Sequence, residues 1–256
     1  MERVHPTVFM PALLLTAAVF LPFAPPPSRA AGLQNPGPPR EIVLSPAERA
    51  LVLKGKIVLR DLPNPGRKGR TFEAIGVLQG SIDEAVAVLT DFGCYPEYMP
   101  NVGAVKLCEV TGPCSVVEVK LHLPLGVRKQ YRLRFTNVRD DSGFELAWEK
   151  LPWPELKPRQ TIVDTSGYWL IRKFEEGGIL VVYHLYTDPG QVPLGLKNVA
   201  QALAKNKIPD AIVKLRERIL SVYRKGARSG RVLDSDRRPG IISLRDGRYG
   251  TQANGA

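Results

Sequence analysis

The stretch LKNVAQALAKNKIPDAIVKLRERILSVYR, Leu196 to Arg224, decides the fold. Ile208, Ile212, Leu215, Ile219 and Val222 follow one another at steps of four, three, four and three, which places them on one stripe of a helix. Leu196, Val199 and Leu203 form a shorter stripe ahead of it. Lys207, Asp210, Lys214, Glu217, Arg218 and Arg224 keep largely off the stripe, as solvated side chains should. At 1.5 Å per residue such a helix is ~43 Å long. A helix with a single apolar side needs a surface to cover it. Nearly everything between Arg70 and Asp188 has strand character, so that surface is a sheet. Pro209 interrupts the pattern, since a proline inside a helix removes one hydrogen bond and crowds the preceding turn. A kink or break is expected near Asn206–Ile208, with Pro209 able to open a second helix.

The strand readings rest on alternation. Val117, Val119, Leu121 and Leu123 share one face, with Glu118, Lys120 and His122 opposite. Tyr131, Leu133 and Phe135 share another, with Gln130, Arg132 and Arg134 opposite. One apolar face and one wet face mark an antiparallel sheet. Strands are expected at Lys56–Leu62, Arg70–Gln79, Ala104–Thr111, Ser115–Leu123, Val127–Val138, Phe144–Lys150, Gly167–Phe174 and Ile179–Asp188. Ser45-Pro46-Ala47-Glu48 has the form of a capping box and opens a short helix to about Lys54. Ser81 caps a second short helix, Ile82–Leu89. Leu151–Asp164 holds Pro152, Pro154 and Pro158 and is read as a loop.

The ends differ from this middle. Val8–Phe23 is apolar, Arg3 precedes it, and Ser28-Arg29-Ala30 supplies small residues at a cleavage position, so residues 1–30 are expected to be a secretory signal. The apolar run is short for a membrane span, which needs about 20 residues; an uncleaved N-terminal anchor is the alternative. Residues 31–40 are a proline-rich linker, residues 41–225 one ligand-binding domain, and residues 226–256 a basic tail expected to be disordered. The expected location is therefore periplasmic or secreted. The net charge of +11 suggests attraction to an anionic surface. The tail, with six arginines against three aspartates, could meet an anionic membrane. No nucleic-acid partner is expected, because no recognition motif is present; Arg128, Lys129, Arg132 and Arg134 are read as solvent-facing. Cys108 and Cys114 flank a hairpin turn and could bond, although the third cysteine, Cys94, leaves the count odd.

Catalytic motifs are missing. No G-x-S-x-G elbow, H-E-x-x-H helix or P-loop occurs, and no metal, cofactor or catalytic residue is assigned. Glu145 and Glu149 alternate away from Phe144, Leu146 and Trp148 and look solvated. His184, in VVYHLY, has apolar neighbours on both strand faces, so its side is undetermined. What the strands do supply is large aromatic side chains suited to a cavity wall.

Thr90-Asp91-Phe92-Gly93-Cys94-Tyr95-Pro96-Glu97-Tyr98-Met99-Pro100-Asn101-Val102 resembles the helix–turn that follows the first strands in polyketide cyclase and coenzyme Q-binding START-like proteins. Gly167-Tyr168-Trp169 and Val182–Gly190 resemble the last two strands of lipid-transfer START domains. Val192-Pro193-Leu194, Asn198 and Ile208-Pro209 continue that likeness. The resemblance, over about Arg70–Arg224, implies an α+β helix-grip fold: a curved antiparallel sheet of about six to seven strands wrapped on a long C-terminal helix. It further implies a hydrophobic pocket under that helix for a lipid, an isoprenoid quinone or a similar molecule. The candidate ligand-binding residues are Phe72, Tyr98, Leu121, Tyr131, Leu133, Phe135, Trp148, Trp169, Tyr183, Leu203, Ile212, Leu215 and Ile219. Two rival functions share the fold. A cyclase or hydrolase would need His184 turned inward beside an acid. An envelope interaction module would have a filled core.

Overall fold

The computed structural model describes residues 40–123, 126–190 and 197–224, and of residues 197–206 and 224 the backbone alone. The expected signal, almost all of the linker, the basic tail, the 191–196 segment and the Leu203 side chain lie outside the described residues.

Eight strands form one antiparallel sheet: β1 (Val58–Leu62), β2 (Arg70–Leu78), β3 (Val102–Thr111), β4 (Cys114–His122), β5 (Arg128–Asp140), β6 (Gly143–Leu151), β7 (Asp164–Lys173) and β8 (Ile179–Asp188). Their order is β1-β2-β8-β7-β6-β5-β4-β3. The sheet exceeds the expected six to seven strands because β1 is a full member, paired with β2 from Val58↔Ile75 to Leu62↔Thr71. The helices are α1 (Pro46–Leu53), α2 (Ile82–Thr90), α3 (Tyr95–Tyr98) and α4 (Lys197–Ile219). α1 and α2 each begin with a complete capping box, Ser45 with Glu48 and Ser81 with Glu84.

α4 runs without a break through Pro209. The expected break at residues 206–208 does not occur, since the loss of one backbone bond is offset by the apolar stripe seated on the sheet. Ile208, Ile212, Leu215 and Ile219 are all buried, Ile212 and Leu215 completely. The irregularity comes later, where Leu220–Arg224 widens into a π-turn. α4 packs chiefly on β2, with α2 and α3 beside it. Gly76 makes the close approach possible: a Cβ there would lie 3.2 Å from Ile212 Cγ2.

The opposite face of the sheet is not simply wet. Val58, Ile75, Leu170, Phe174, Leu180 and Val182 make a second core there with Val52 of α1, and Ile42 and Leu44 pack against it. His184 belongs to this face. Its ring stacks on Tyr168 at 4.7 Å between centroids, and its Nδ1 lies 3.5 Å from Glu73 Oε2. Arg60 bridges the two layers, donating to Glu73 Oε1 at 2.9 Å and from Nε to Glu48 Oε1 of α1 at 2.7 Å. His184, then Arg60, hold the Glu73 carboxyl below the usual range against the opposing effect of burial. Glu145, expected to be solvated, meets Arg40 at 3.2 Å on the same side.

Cys108 and Cys114 do not bond. Cys114 stands opposite Thr111 in the β3–β4 register, and Cys108 sits at a register shift between Leu107 and Glu109. All three thiols are free. β7 starts at Asp164, earlier than the expected Gly167, which shortens the preceding loop.

Candidate functional site: an apolar chamber beneath the long helix

Toward one end of α4 the sheet and helix part. Between them is a cavity of about 190 Å³. One water needs only ~10–15 Å³, and a dry engineered cavity of ~150 Å³ takes benzene. The floor is made by inward residues of five neighbouring strands: Val117, Val119 and Leu121 of β4, Tyr131, Leu133 and Phe135 of β5, Trp148 of β6, Thr165 and Trp169 of β7, and Tyr183, Leu185 and Thr187 of β8. The period-two rule puts these on one face because they occupy alternate positions in each strand. The roof is Lys207, Ile208 and Ala211 of α4. One side wall comes from Tyr95, Met99, Pro100, Asn101, Val102 and Val105, the turn from α3 into β3. Asn101 takes a left-handed conformation there, φ 63°, which asparagine tolerates better than most residues. Leu123 and Ile162 complete the lining.

The aromatic floor is continuous. Trp169 stacks on Tyr183 at 4.2 Å, Tyr183 lies 5.7 Å from Trp148, and Trp148 lies 6.0 Å from Phe135. Gly167 makes room for this arrangement. It pairs with Trp148 across β6 and β7, and a Cβ on it would meet the indole at 2.5 Å. Lys207 is the one charged residue among the described lining. It is exposed at the rim and paired with Asp210 at 2.9 Å.

Four of the lining hydroxyls, those of Tyr95, Tyr131, Thr165 and Tyr183, fall into two groups. Tyr95 donates its hydroxyl to Leu89 O at 2.6 Å, and Thr165 donates to Tyr186 O at 2.8 Å. Tyr131 and Tyr183 have no hydrogen-bond partner for their hydroxyls among the described residues, yet those oxygens are not sealed off from accessible space. Burial pushes both phenols far above their ordinary range, so both stay protonated.

Seven of the candidate residues surround the cavity: Leu121, Tyr131, Leu133, Phe135, Trp148, Trp169 and Tyr183. Five do not. Phe72, Ile212, Leu215 and Ile219 belong to the solid part of the core, where α4 sits directly on β2 and α2. Tyr98 is buried and donates to Val88 O at 3.0 Å. With Tyr95 it satisfies carbonyls in the last turn of α2, so its work is to end that helix. The Leu203 side chain lies outside the described residues. Sequence reasoning did not select the α3–β3 turn, Leu185, Thr187, Lys207 or Ala211. Val117 and Val119 were likewise not selected, although the alternation already noted in β4 places both on the inner face. Lys129, grouped with the surface arginines, is instead buried and donates to Thr161 O at 2.9 Å, with its ammonium pKa lowered by desolvation. Arg132 and Arg134 are paired with Glu118 and Glu149.

Solved structures share this architecture. The chain has the START-like helix-grip fold. A STAR-related lipid transfer protein from Xanthomonas axonopodis superimposes with a TM-score of 0.55 at 21% identity, over 64% of this chain and 93% of that one. Human StAR-related lipid transfer protein 5 gives 0.57 at 14% identity, over 65% of this chain and 83% of that one. Human STARD10 gives 0.56 at 14% identity, over 67% and 72%. No protein-family model and no curated protein matches the sequence. At these identities the likeness concerns the fold.

Proposed function

We propose that the protein binds a hydrophobic molecule in the chamber between α4 and the sheet and acts as a non-enzymatic carrier. The single observation that carries this reading is the cavity itself. Its wall is aromatic and aliphatic over five strands, and it stays open where an ordinary core would fill it. Proteins of the same fold are described as lipid transfer proteins, which supports the class of ligand. Moving apolar surface from water into such a site gains roughly 25 cal/mol per Å², so a ligand burying about 400 Å² gains ~10 kcal/mol before entropy costs. The chamber is smaller than the ~300–1,000 Å³ of sites for drug-sized ligands. It takes a ring system or a stretch of chain as it stands, and a larger lipid requires the exposed rim at Lys207 to give way.

The cyclase or hydrolase reading loses its proposed acid–base pair, because His184 and Glu73 sit on the opposite face of the sheet. The carrier is further proposed to be exported, on the strength of the apolar run Val8–Phe23 and the small residues after it. Native mass spectrometry of protein purified from its own host tests both points. A co-purifying lipid or quinone, on a chain cleaved near Ala30, is expected. Repeated preparations carrying no small molecule would overturn the carrier reading, and an intact N-terminus would overturn the cleavage.

A further inference from the structure

Resting on the binding reading above, we infer that Tyr131 and Tyr183 form a polar anchor for a ligand whose head carries a neutral oxygen, a hydroxyl or carbonyl, and not a charged group. Both side chains stand on the chamber floor, on β5 and β8. A buried hydroxyl without a partner is costly, so buried tyrosines usually find one. Their neighbours do: Tyr95 and Tyr98 donate to carbonyls of α2. The hydroxyls of Tyr131 and Tyr183 have no such partner among the described residues, and they stand on the floor, among the aromatic rings. A hydrogen-bonding group on the ligand would satisfy them, each acting as donor or acceptor.

The surroundings set the charge of that group. The described lining contains no charged side chain apart from Lys207, which is at the rim and already paired with Asp210. A carboxylate or phosphate brought to the floor would lose its hydration and meet no unpaired cation among the described lining residues. An oxygen-free hydrocarbon would leave both hydroxyls unmet. A flat apolar body with one neutral oxygen satisfies both requirements, lying against Trp148 and Trp169 while its oxygen meets the phenols.

Three probes with one scaffold test this by isothermal titration calorimetry on the full chain: 2-naphthol, 2-methylnaphthalene and 2-naphthoate. The wild type is expected to bind 2-naphthol about tenfold more tightly than 2-methylnaphthalene, and 2-naphthoate more weakly than either. Tyr131→Phe and Tyr183→Phe should each shrink the naphthol preference about threefold, and the double variant should erase it, with 2-methylnaphthalene bound more tightly and not less, since no hydroxyl is then left unmet. Thermal unfolding supplies the second readout. Because the ligand-free hydroxyls lack partners, neither Phe variant should lower the unfolding midpoint, whereas a structural hydroxyl would. Equal binding of naphthol and methylnaphthalene, a preference that survives in the double variant, or tightest binding of naphthoate overturns the anchor and leaves the carrier reading standing. Failure of all three probes to bind the wild type overturns both.

Discussion

Enlarging Ala211 gives a result whose sign depends on the void. Ala211 is 2% exposed and faces the chamber from α4. Ala211→Leu adds three carbons. In an empty chamber each buried methylene is worth about 0.8 kcal/mol, so the gain is at most ~2.4 kcal/mol. Ordering the leucine side chain takes back roughly 0.5–1 kcal/mol. The net is a stabilisation of about 1.5 kcal/mol, or ~3–6 °C in Tm for a domain of this size. Leucine is also nearly as good a helix former as alanine, so the backbone adds little. The control is Ala74→Leu. Ala74 is wholly buried on the same face of the sheet but outside the chamber. Overpacking there costs roughly 1–3 kcal/mol. Urea unfolding followed by circular dichroism at 222 nm reads both variants, and calorimetry with 2-methylnaphthalene reads the loss of binding in Ala211→Leu. Destabilisation of both variants to a similar extent would refute the reasoning, because it would mean that the space beneath Ala211 is already occupied.

Further outcomes are expected elsewhere in the chain. Ile212→Ala removes a fully buried side chain from the solid junction of α4 and β2 and should cost about 2–5 kcal/mol in chemical unfolding; a loss under ~1 kcal/mol would show that the helix is not seated there. Glu48 is held down to about 2 from 4.5, first by its hydrogen bond from Arg60 and next by the Ser45 backbone. Its folded-state pKa is depressed, so its contribution is present above pH 4.5 and is lost as the pH falls toward 2. Glu48→Gln should lower stability at pH 7 and flatten the pH–Tm curve over that window, and an unchanged acid slope would discount the Glu48–Arg60 link. Ser81→Ala breaks the α2 capping box and should cost about 1 kcal/mol by thermal unfolding. Dithiothreitol should leave the unfolding midpoint unchanged, since the three cysteines are free; a reducing agent that lowers Tm would reveal a bond.

The sequence reading went furthest where one property repeats. Alternation in Val117–Leu123 and Tyr131–Phe135 correctly put Val117, Val119, Leu121, Tyr131, Leu133 and Phe135 on the inner face, and the stripe from Ile208 to Ile219 identified the side of α4 that is buried. Periodicity names a face but not a place along it. Phe72, Ile212 and Leu215 face the same way as the chamber lining and still lie in packed core, because the gap between helix and sheet closes toward β2. His184 could not be placed, since both faces of β8 are apolar, and they are so because α1 and Ile42 and Leu44 cover the back of the sheet. That cover comes from a segment outside the region of resemblance. Lys129 was grouped with Arg132 and Arg134, yet its odd position puts it on the face of Tyr131, Leu133 and Phe135, and its partner Thr161 lies far along the chain. Pro209 looked like a break from its own chemistry, yet the tertiary packing of four buried aliphatic residues holds the helix through it.

Xenon is the most direct probe of the open space, because it enters dry apolar voids and little else. Methyl NMR spectra under xenon pressure should show saturable shifts at Val119, Leu133, Leu185 and Ile208, with Ile75, Leu170 and Val182 on the opposite face unmoved. Unchanged lining methyls under pressures that saturate a known apolar cavity would contradict the account.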